Sequence, residues 1–181
     1  ITKGEFLGII GGSGAGKTTL VQTILGLKTL FEGTVSVTLS GLKVPIEEAP
    51  LRIGYVSQDT VIYNGTLFEN IHLWGDLSLR PSSRRKAEDL LEKLGLSNLL
   101  AGSGLDSVIG ENGNNISGGQ KQRIFLAREL FKDPDILVLD EATSALDTLS
   151  EQLVAQMVSD LKGQLTIISI SHSHETLHNA D

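Results

Sequence analysis

The chain of 181 residues is 40% apolar and carries a formal net charge of −7. Its length fits one compact domain, or a core with one inserted subdomain, in which about 70% of the unfolded chain's surface can be buried. The acidic balance weighs against a protein that binds mainly nucleic acid or an anionic membrane. The absence of cysteine excludes a disulfide scaffold and a thiolate metal site.

The longest apolar runs, such as ILVL at 136–139, are far shorter than the ~18 residues that indicate a membrane span. No signal peptide is visible either. The sequence opens on Ile1 and leads straight into a predicted strand, so we expect it to be part of a longer protein.

Predicted strands and helices alternate at both ends of the chain. The strands are EFLGII (5–10), GTVSVTL (33–39), RIGYVSQ (52–58), DILVLD (135–140) and LTIISI (165–170), with a loop over 40–50. The helices are 17–26, TLFENIHL (66–73), 82–95, the stretch from SGGQ through Leu130, and 148–162. This order predicts an α/β fold with a largely parallel sheet, and the mostly helical middle resembles an insertion.

Three of these helices have apolar residues at helical spacing. The spacing is set by Leu20, Ile24 and Leu27 in the first, by Ala87, Leu90, Leu91 and Leu94 in the third, and by Val154, Met157, Val158 and Leu161 in the last.

The first strand runs into a glycine-rich loop, Gly11-Gly12-Ser13-Gly14-Ala15-Gly16-Lys17-Thr18, followed by Thr19. Its pattern G-x-x-x-x-G-K-[ST], between a strand and a helix, is that of a P-loop. The glycines let backbone N–H groups point at phosphate oxygens, and the helix N-terminus adds partial positive charge. Lys17 is expected to reach the β- and γ-phosphates, and the Thr18 hydroxyl to bind Mg²⁺. A simple turn is the weaker interpretation.

The apolar strand ILVLD ends in Asp140 and is followed by Glu141. Beside a P-loop, Asp140 is placed to hold the hydration shell of Mg²⁺, as a Walker B aspartate does. Glu141 would then polarise the attacking water. Without the P-loop, the pair could equally be the acidic start of a helix.

A second candidate anion-binding loop, Ser117-Gly118-Gly119-Gln120, lies at the predicted start of a helix. Together with the P-loop, ILVLDEATSALD and the SH that follows the last strand, it resembles the nucleotide-binding domain of ATP-binding-cassette (ABC) proteins over nearly the whole chain. The resemblance implies a P-loop NTPase (RecA-like) core with an inserted helical subdomain. It divides the chain into core residues 1–58, helical residues 59–125 ending in the signature loop, and core residues 126–181.

The same resemblance assigns roles to individual residues. The signature loop would bind the γ-phosphate of an ATP held on another subunit's P-loop, although Ser117 and Gln120 could also form an ordinary helix cap. Gln58 resembles the Q-loop glutamine that touches Mg²⁺. Asp147 resembles the D-loop aspartate at the dimer interface, and His172 the switch histidine at the γ-phosphate. A metal site of His172, His174 and His178 would lack a fourth ligand.

This sequence departs from the family pattern at Ile116, where leucine is usual. The aromatic residue that stacks on adenine in the family is expected upstream of Ile1, and further strands after Asp181. The segments YNGTLFENI (63–71) and VIGENG (108–113) resemble exporter-type domains, in which the second contacts the membrane domain.

The resemblance implies an Mg²⁺-dependent ATPase that powers an ABC exporter at the cytoplasmic face of a membrane. Its partners would be a second nucleotide-binding domain and a transmembrane domain, with no nucleic acid. Two alternatives stay open, which are a soluble ABC ATPase in DNA repair or translation and an ATP-gated binding switch with little turnover. The exporter-like segments weigh against the first, and Glu141 with His172 against the second.

Overall fold

A computed structural model of the protein describes residues 1–30, 32–57, 59–73, 81–110, 115–142 and 146–171. The strands are β1 (Phe6–Ile10), β2 (Ser36–Leu39), β3 (Leu42–Pro45), β4 (Ile53–Val56), β5 (Gly65–Thr66), β6 (Val108–Ile109), β7 (Ile136–Asp140) and β8 (Thr166–Ser171). The α-helices are α1 (Lys17–Ile24), α2 (Leu67–His72), α3 (Pro81–Lys93), α4 (Gly118–Phe131) and α5 (Thr148–Leu161). None of the described helices combines the length and apolarity needed to cross a bilayer.

The centre of the fold is a parallel sheet with strand order β1-β8-β7-β4. All residues of β8 are buried, as are all of β7 except Ile136. Strands covered on both faces need apolar residues at every position, and the sequences ILVLD and TIISIS largely supply them. The predicted α/β fold with a largely parallel sheet is confirmed.

A small antiparallel hairpin of β2 and β3 corrects the loop predicted for 40–50. Ser40 and Gly41 connect its strands, and both have positive φ (51° and 83°). Two successive positive φ values are typical of the tight turns that join paired strands. The segment then continues into a short 3₁₀ turn, Ile46–Glu48, so most of the predicted loop is regular structure.

Helix α1 is present, but it buries a different face from the one marked by Leu20, Ile24 and Leu27. Leu20 is 51% exposed and Leu27 59%, whereas Val21 and Leu25 are buried against Val138, Ile168 and Ile170 of the sheet. The loop between β1 and α1 sets the rotation of this short helix about its axis. The helix face that lies on the sheet therefore carries Val21 and Leu25.

The helical middle of the chain shares one buried cluster with the sheet. Ala87, Leu91 and Leu94 of the α3 region belong to the same cluster as Leu137 of β7, and Leu90 packs against it. On α5, Val154, Met157 and Val158 are buried and Leu161 packs against them. These two predicted apolar faces are confirmed. The middle also contains a short pair, β5 with β6, that the sequence did not predict.

Two buried polar side chains, Arg128 and Asn70, fix α2 and the chain before it. The Arg128 guanidinium on α4 donates to the carbonyl oxygens of Asn70 (2.7 Å) and Val61 (3.0 Å). The Asn70 side chain accepts from the Tyr63 N–H (2.8 Å) and donates to the carbonyl oxygens of Tyr63 and Thr66 (3.0 Å each). Burial lowers the pKa of Arg128. Helix α4 is thereby tied to residues 61–70 through main-chain atoms.

We predict that Asn70→Ala lowers the free energy of unfolding by about 1–3 kcal/mol, because it removes the three hydrogen bonds between this buried side chain and the main chain of Tyr63 and Thr66. Urea unfolding followed by circular dichroism measures this loss. Asn98→Ala, at an exposed position, is the matched control and should change stability by no more than about 0.5 kcal/mol. Equal effects of the two substitutions would contradict this account.

Candidate functional site

The glycine-rich loop and the end of β7 meet at one edge of the parallel sheet. The loop follows β1 and leads into α1, whereas Asp140 is the last residue of β7. The carboxyl ends of parallel strands lie on the same edge, where α/β proteins bind their ligands. The sheet therefore brings together residues that are more than a hundred positions apart in sequence.

The loop is open on its outer side. Gly14 and Gly16 have φ values of +76° and +85°, which side-chain-bearing residues rarely adopt. A Cβ atom built on Gly12, Gly14 or Gly16 would meet no atom within 4 Å. The cradle is thus walled by backbone and is shaped to let phosphate oxygens approach the N–H groups at the start of α1.

The Lys17 side chain folds back over this loop. It is 9% exposed, and its ammonium donates to the carbonyl oxygens of Gly11 (2.8 Å) and Gly12 (3.0 Å). Two hydrogen bonds hold the positive charge beside the cradle. An anion bound there would meet a cation that is already in place.

Asp140 receives hydrogen bonds from two hydroxyl groups. Thr18 Oγ1 lies 3.1 Å from Asp140 Oδ1, and Tyr55 Oη lies 2.7 Å from Asp140 Oδ2. The carboxylate is 8% exposed. Hydroxyl and carboxylate oxygens next to a phosphate cradle are the donors that Mg²⁺ takes in proteins, so the residues present fit this ion.

Sequence reasoning missed Tyr55. Burial, the hydrogen bond to Asp140 and the charge of that carboxylate raise the pKa of Tyr55 to about 12, whereas a hydrogen bond with the Gln22 side chain lowers it. The phenol consequently keeps its proton near neutral pH and acts as a donor to Asp140. A tyrosine in a strand that precedes the predicted Q-loop was the only available signal.

Glu141 follows Asp140 in a left-handed backbone conformation (φ 53°). Its N–H donates to the carbonyl oxygen of Ile170 at 3.0 Å, which ties the bend to the end of β8. A non-glycine residue in this region carries conformational strain, and such residues cluster at functional sites. The chain thus turns sharply at the second of the two adjacent carboxylates.

The signature loop begins α4. Ser117 Oγ accepts from the Gln120 N–H (3.2 Å), and Gln120 Oε1 accepts from the Ser117 N–H (2.8 Å), so the capping interpretation of these residues is confirmed. Ser117 and Gly118 are exposed. Within the described part of the chain, no hydrogen bond joins this loop to the P-loop.

Gly119 and Asp147 pack together behind the exposed signature residues. A Cβ atom on Gly119 would lie 3.4 Å from Leu146 and 3.7 Å from Asp147. Asp147 caps α5 by accepting from the Ser150 N–H (3.0 Å) and hydroxyl (2.8 Å), and these bonds lower its pKa. The signature loop and the start of α5 therefore form one packed unit.

The Arg123 side chain makes hydrogen bonds to the same packed unit. Its side chain donates to the carbonyl oxygens of Gly119 (3.2 Å), Leu94 (3.0 Å) and Gly95 (3.3 Å). Burial lowers the pKa of Arg123, and the charge of Asp147 opposes that effect. One guanidinium thus links the start of α4 to the chain that follows α3.

Several predicted site residues lie outside the described residues. They are Gln58, His172, His174 and His178. Among the residues that the structure does describe, no three His, Cys, Asp or Glu side chains form a group that could hold a metal ion. A site built from one carboxylate, one hydroxyl and substrate phosphates does not require such a group.

Comparison with known proteins agrees with this geometry. A family model described as ABC transporter matches residues 1–144. The heterocyst differentiation ATP-binding protein HepA of Nostoc sp. is 38% identical over all of this chain and 30% of its own length. The ATP-dependent lipid A-core flippase of Polaromonas sp. is 37% identical, again over all of this chain and 30% of its own length.

A solved structure of a bacterial Atm1-family ABC exporter with ATP bound superimposes with a TM-score of 0.81 at 33% identity, over 98% of this chain and 31% of that one. The chain thus spans about three tenths of the length of these relatives. The family model covers most of the sequence, and the exposed glycine loop lies beside a buried carboxylate as a nucleotide site requires. The chain therefore belongs to the ABC transporter family, as its ATP-binding domain.

Proposed function

We propose that this domain hydrolyses ATP with Mg²⁺ and thereby powers an exporter. The observation that carries the proposal is the 3.1 Å contact between Thr18 Oγ1 and Asp140 Oδ1. It joins the phosphate cradle to a buried carboxylate at the mouth of the loop, where a metal ion bound to the β- and γ-phosphates would lie.

In the proposed reaction, the protein positions groups and stabilises charge. The N–H groups of Gly14 to Thr18 and the Lys17 ammonium hold the phosphates. Bound Mg²⁺ would neutralise charge on the phosphate oxygens, held by Thr18 and, through water, by Asp140. Glu141 orients and deprotonates the attacking water. We assign Gln58 to the metal and His172 to the γ-phosphate from the family resemblance.

We also propose that the signature loop serves the ATP of a second nucleotide-binding domain. The loop is exposed at Ser117 and Gly118, and its capping bonds fix the N–H groups of an outward-facing helix N-terminus. Asp147, packed behind it, would lie at the same interface. Two copies, or one copy and a related partner, would close around two ATP molecules and open after hydrolysis.

A transmembrane domain is the second proposed partner, which places this domain at the cytoplasmic face of a membrane. The two exporter-like segments support this proposal because they are adjacent, with Gly65 paired to Ile109 and Thr66 to Val108. Tyr63 and Val108 are exposed in these segments. The division into core residues 1–58 and 126–181 and helical residues 59–125 belongs to the same proposal.

Lys17→Ala tests the assignment of the cradle. It removes the cation held by Gly11 and Gly12, so we expect ATP affinity to fall and hydrolysis to drop about a hundredfold or more. Phosphate release and titration with a fluorescent ATP analogue measure the two effects. Lys28→Ala, at an exposed position just beyond α1, should behave like wild type. Unchanged hydrolysis in Lys17→Ala would refute the assignment.

Ser117→Arg tests whether the signature loop acts on a partner's nucleotide. We expect hydrolysis to be lost while the isolated domain, as a monomer, keeps its affinity for ATP. The bulky cation would block only the closed dimer. Ser82→Arg, exposed on α3, is the control. If monomer binding falls as much as hydrolysis does, the loop serves its own chain's nucleotide and the two-subunit proposal fails.

Glu141→Gln tests the role of the second carboxylate. It keeps the side-chain volume but removes the base, and it removes a negative charge near the nucleotide. We expect slow hydrolysis and an ATP-dependent dimer of the isolated domain, measured by size-exclusion chromatography with light scattering. Glu92→Gln, exposed on α3, should stay monomeric with normal hydrolysis. A monomeric Glu141→Gln variant with saturating ATP and Mg²⁺ would contradict the model.

A further inference from the structure

The Asp140 carboxylate is held from both sides by hydroxyl groups of different elements. Thr18, at the start of α1, occupies Oδ1, and Tyr55, on β4, occupies Oδ2 at the shorter distance of 2.7 Å. With both oxygens engaged, rotation about the bond to the carboxylate would break at least one hydrogen bond. The orientation of the carboxylate plane is thus set by the Tyr55 phenol together with Thr18.

The sheet register explains why a tyrosine reaches Asp140. Tyr55 is paired with Val138 of β7, and Asp140 lies two residues further along that strand. Residues i and i+2 share a face and are about 7 Å apart, at 3.3 Å per residue. A serine or threonine at position 55 is too short to cross this distance, whereas the phenol hydroxyl spans it.

Other contacts fix the phenol and its backbone. The N–H of Tyr55 donates to Glu129 Oε2 of α4 at 3.2 Å, and Glu129 is itself 5% exposed. The side chain of Gln22 lies near enough to the phenol to lower its pKa. Gln22 lies one turn after Thr18 on α1, so the two share a helix face. Helix α1 therefore contacts both Asp140 and its second donor.

We propose that Tyr55 is a positioning residue that orients Asp140 for the Mg²⁺ that accompanies ATP. Its hydroxyl holds Oδ2, and Oδ1 stays with Thr18, the other residue that would hold Mg²⁺. This inference rests on the proposed Mg²⁺-dependent function. Hydrogen-bonding partners of metal-binding carboxylates commonly change metal affinity by 10- to 100-fold, so its effect is measurable.

Tyr55→Phe in the full-length protein tests the inference. The affinity for a non-hydrolysable fluorescent ATP analogue is measured with saturating Mg²⁺ and again with a chelator. We expect Tyr55→Phe to weaken binding about tenfold with Mg²⁺ and to leave metal-free binding unchanged, because the phenylalanine keeps the ring and removes only the donor. Hydrolysis should fall, with a higher Mg²⁺ requirement.

The chain offers a matched control, because its only other tyrosine is Tyr63. The Arg128 guanidinium lies over the Tyr63 ring, 5.4 Å from the centre of the ring. Tyr63→Phe keeps this ring. We expect both binding constants to match wild type in this control. Gln22→Ala is a second test variant. It keeps the phenol but removes the neighbouring polar side chain, and should lose Mg²⁺-dependent affinity selectively, by about threefold.

A double-substitution cycle shows whether Tyr55 acts through Asp140. In an Asp140→Asn background, Tyr55→Phe should produce little further loss of Mg²⁺-dependent binding, because contacting residues that act together are not additive. Additive losses would overturn the inference. So would equal losses with and without Mg²⁺, since these indicate a purely structural role, or wild-type binding in both Tyr55→Phe and Gln22→Ala. If wild type itself binds no nucleotide, the proposed function fails instead.

Discussion

The hydrogen bond between Thr18 and Asp140 depends on the order of strands in the sheet. The two residues are 122 positions apart, and they meet because β8 lies between β1 and β7 with every strand parallel. Because all four strands are parallel, the P-loop after β1 and the end of β7 open on the same edge. The largely buried strands β7 and β8 keep the distance between the phosphate cradle and the carboxylate fixed.

Helix α4 organises the rest of the molecule through charged side chains that bind backbone. Arg123 donates to three carbonyl oxygens around the signature loop and the end of α3, and Arg128 donates to Asn70 in α2 and to Val61 before it. Glu129 accepts from the N–H of Tyr55 on β4. One rigid helix therefore contacts the signature loop, the exporter-like segment and the strand that supports Asp140. In the proposed function, a movement of α4 would displace residues at all three places.

The features that sequence predicted are those encoded locally. The P-loop pattern requires glycine where φ is positive, as at Gly16, and the apolar run of β7 ends in Asp140. The role of Tyr55 depends on the pairing of β4 with β7, which no local pattern reports. The buried face of α1 is set by the sheet below it, and the Ser40-Gly41 turn predicts a hairpin only when both flanking segments are already recognised as strands.

The adjacent residues Asp140 and Glu141 have different backbone environments, which suits the two different roles proposed for their carboxylates. Asp140 ends a buried strand and receives two hydroxyl hydrogen bonds, so its position is fixed by the core. Glu141 has a left-handed backbone conformation, and its N–H donates to the Ile170 carbonyl oxygen. Its side chain therefore no longer follows the alternation between sheet faces seen along β7. A continued strand would have placed Glu141 on the opposite face of the sheet from Asp140. The strained turn removes that constraint, so the carboxylate proposed to bind the metal and the carboxylate proposed to act as base can be neighbours in sequence at the same sheet edge.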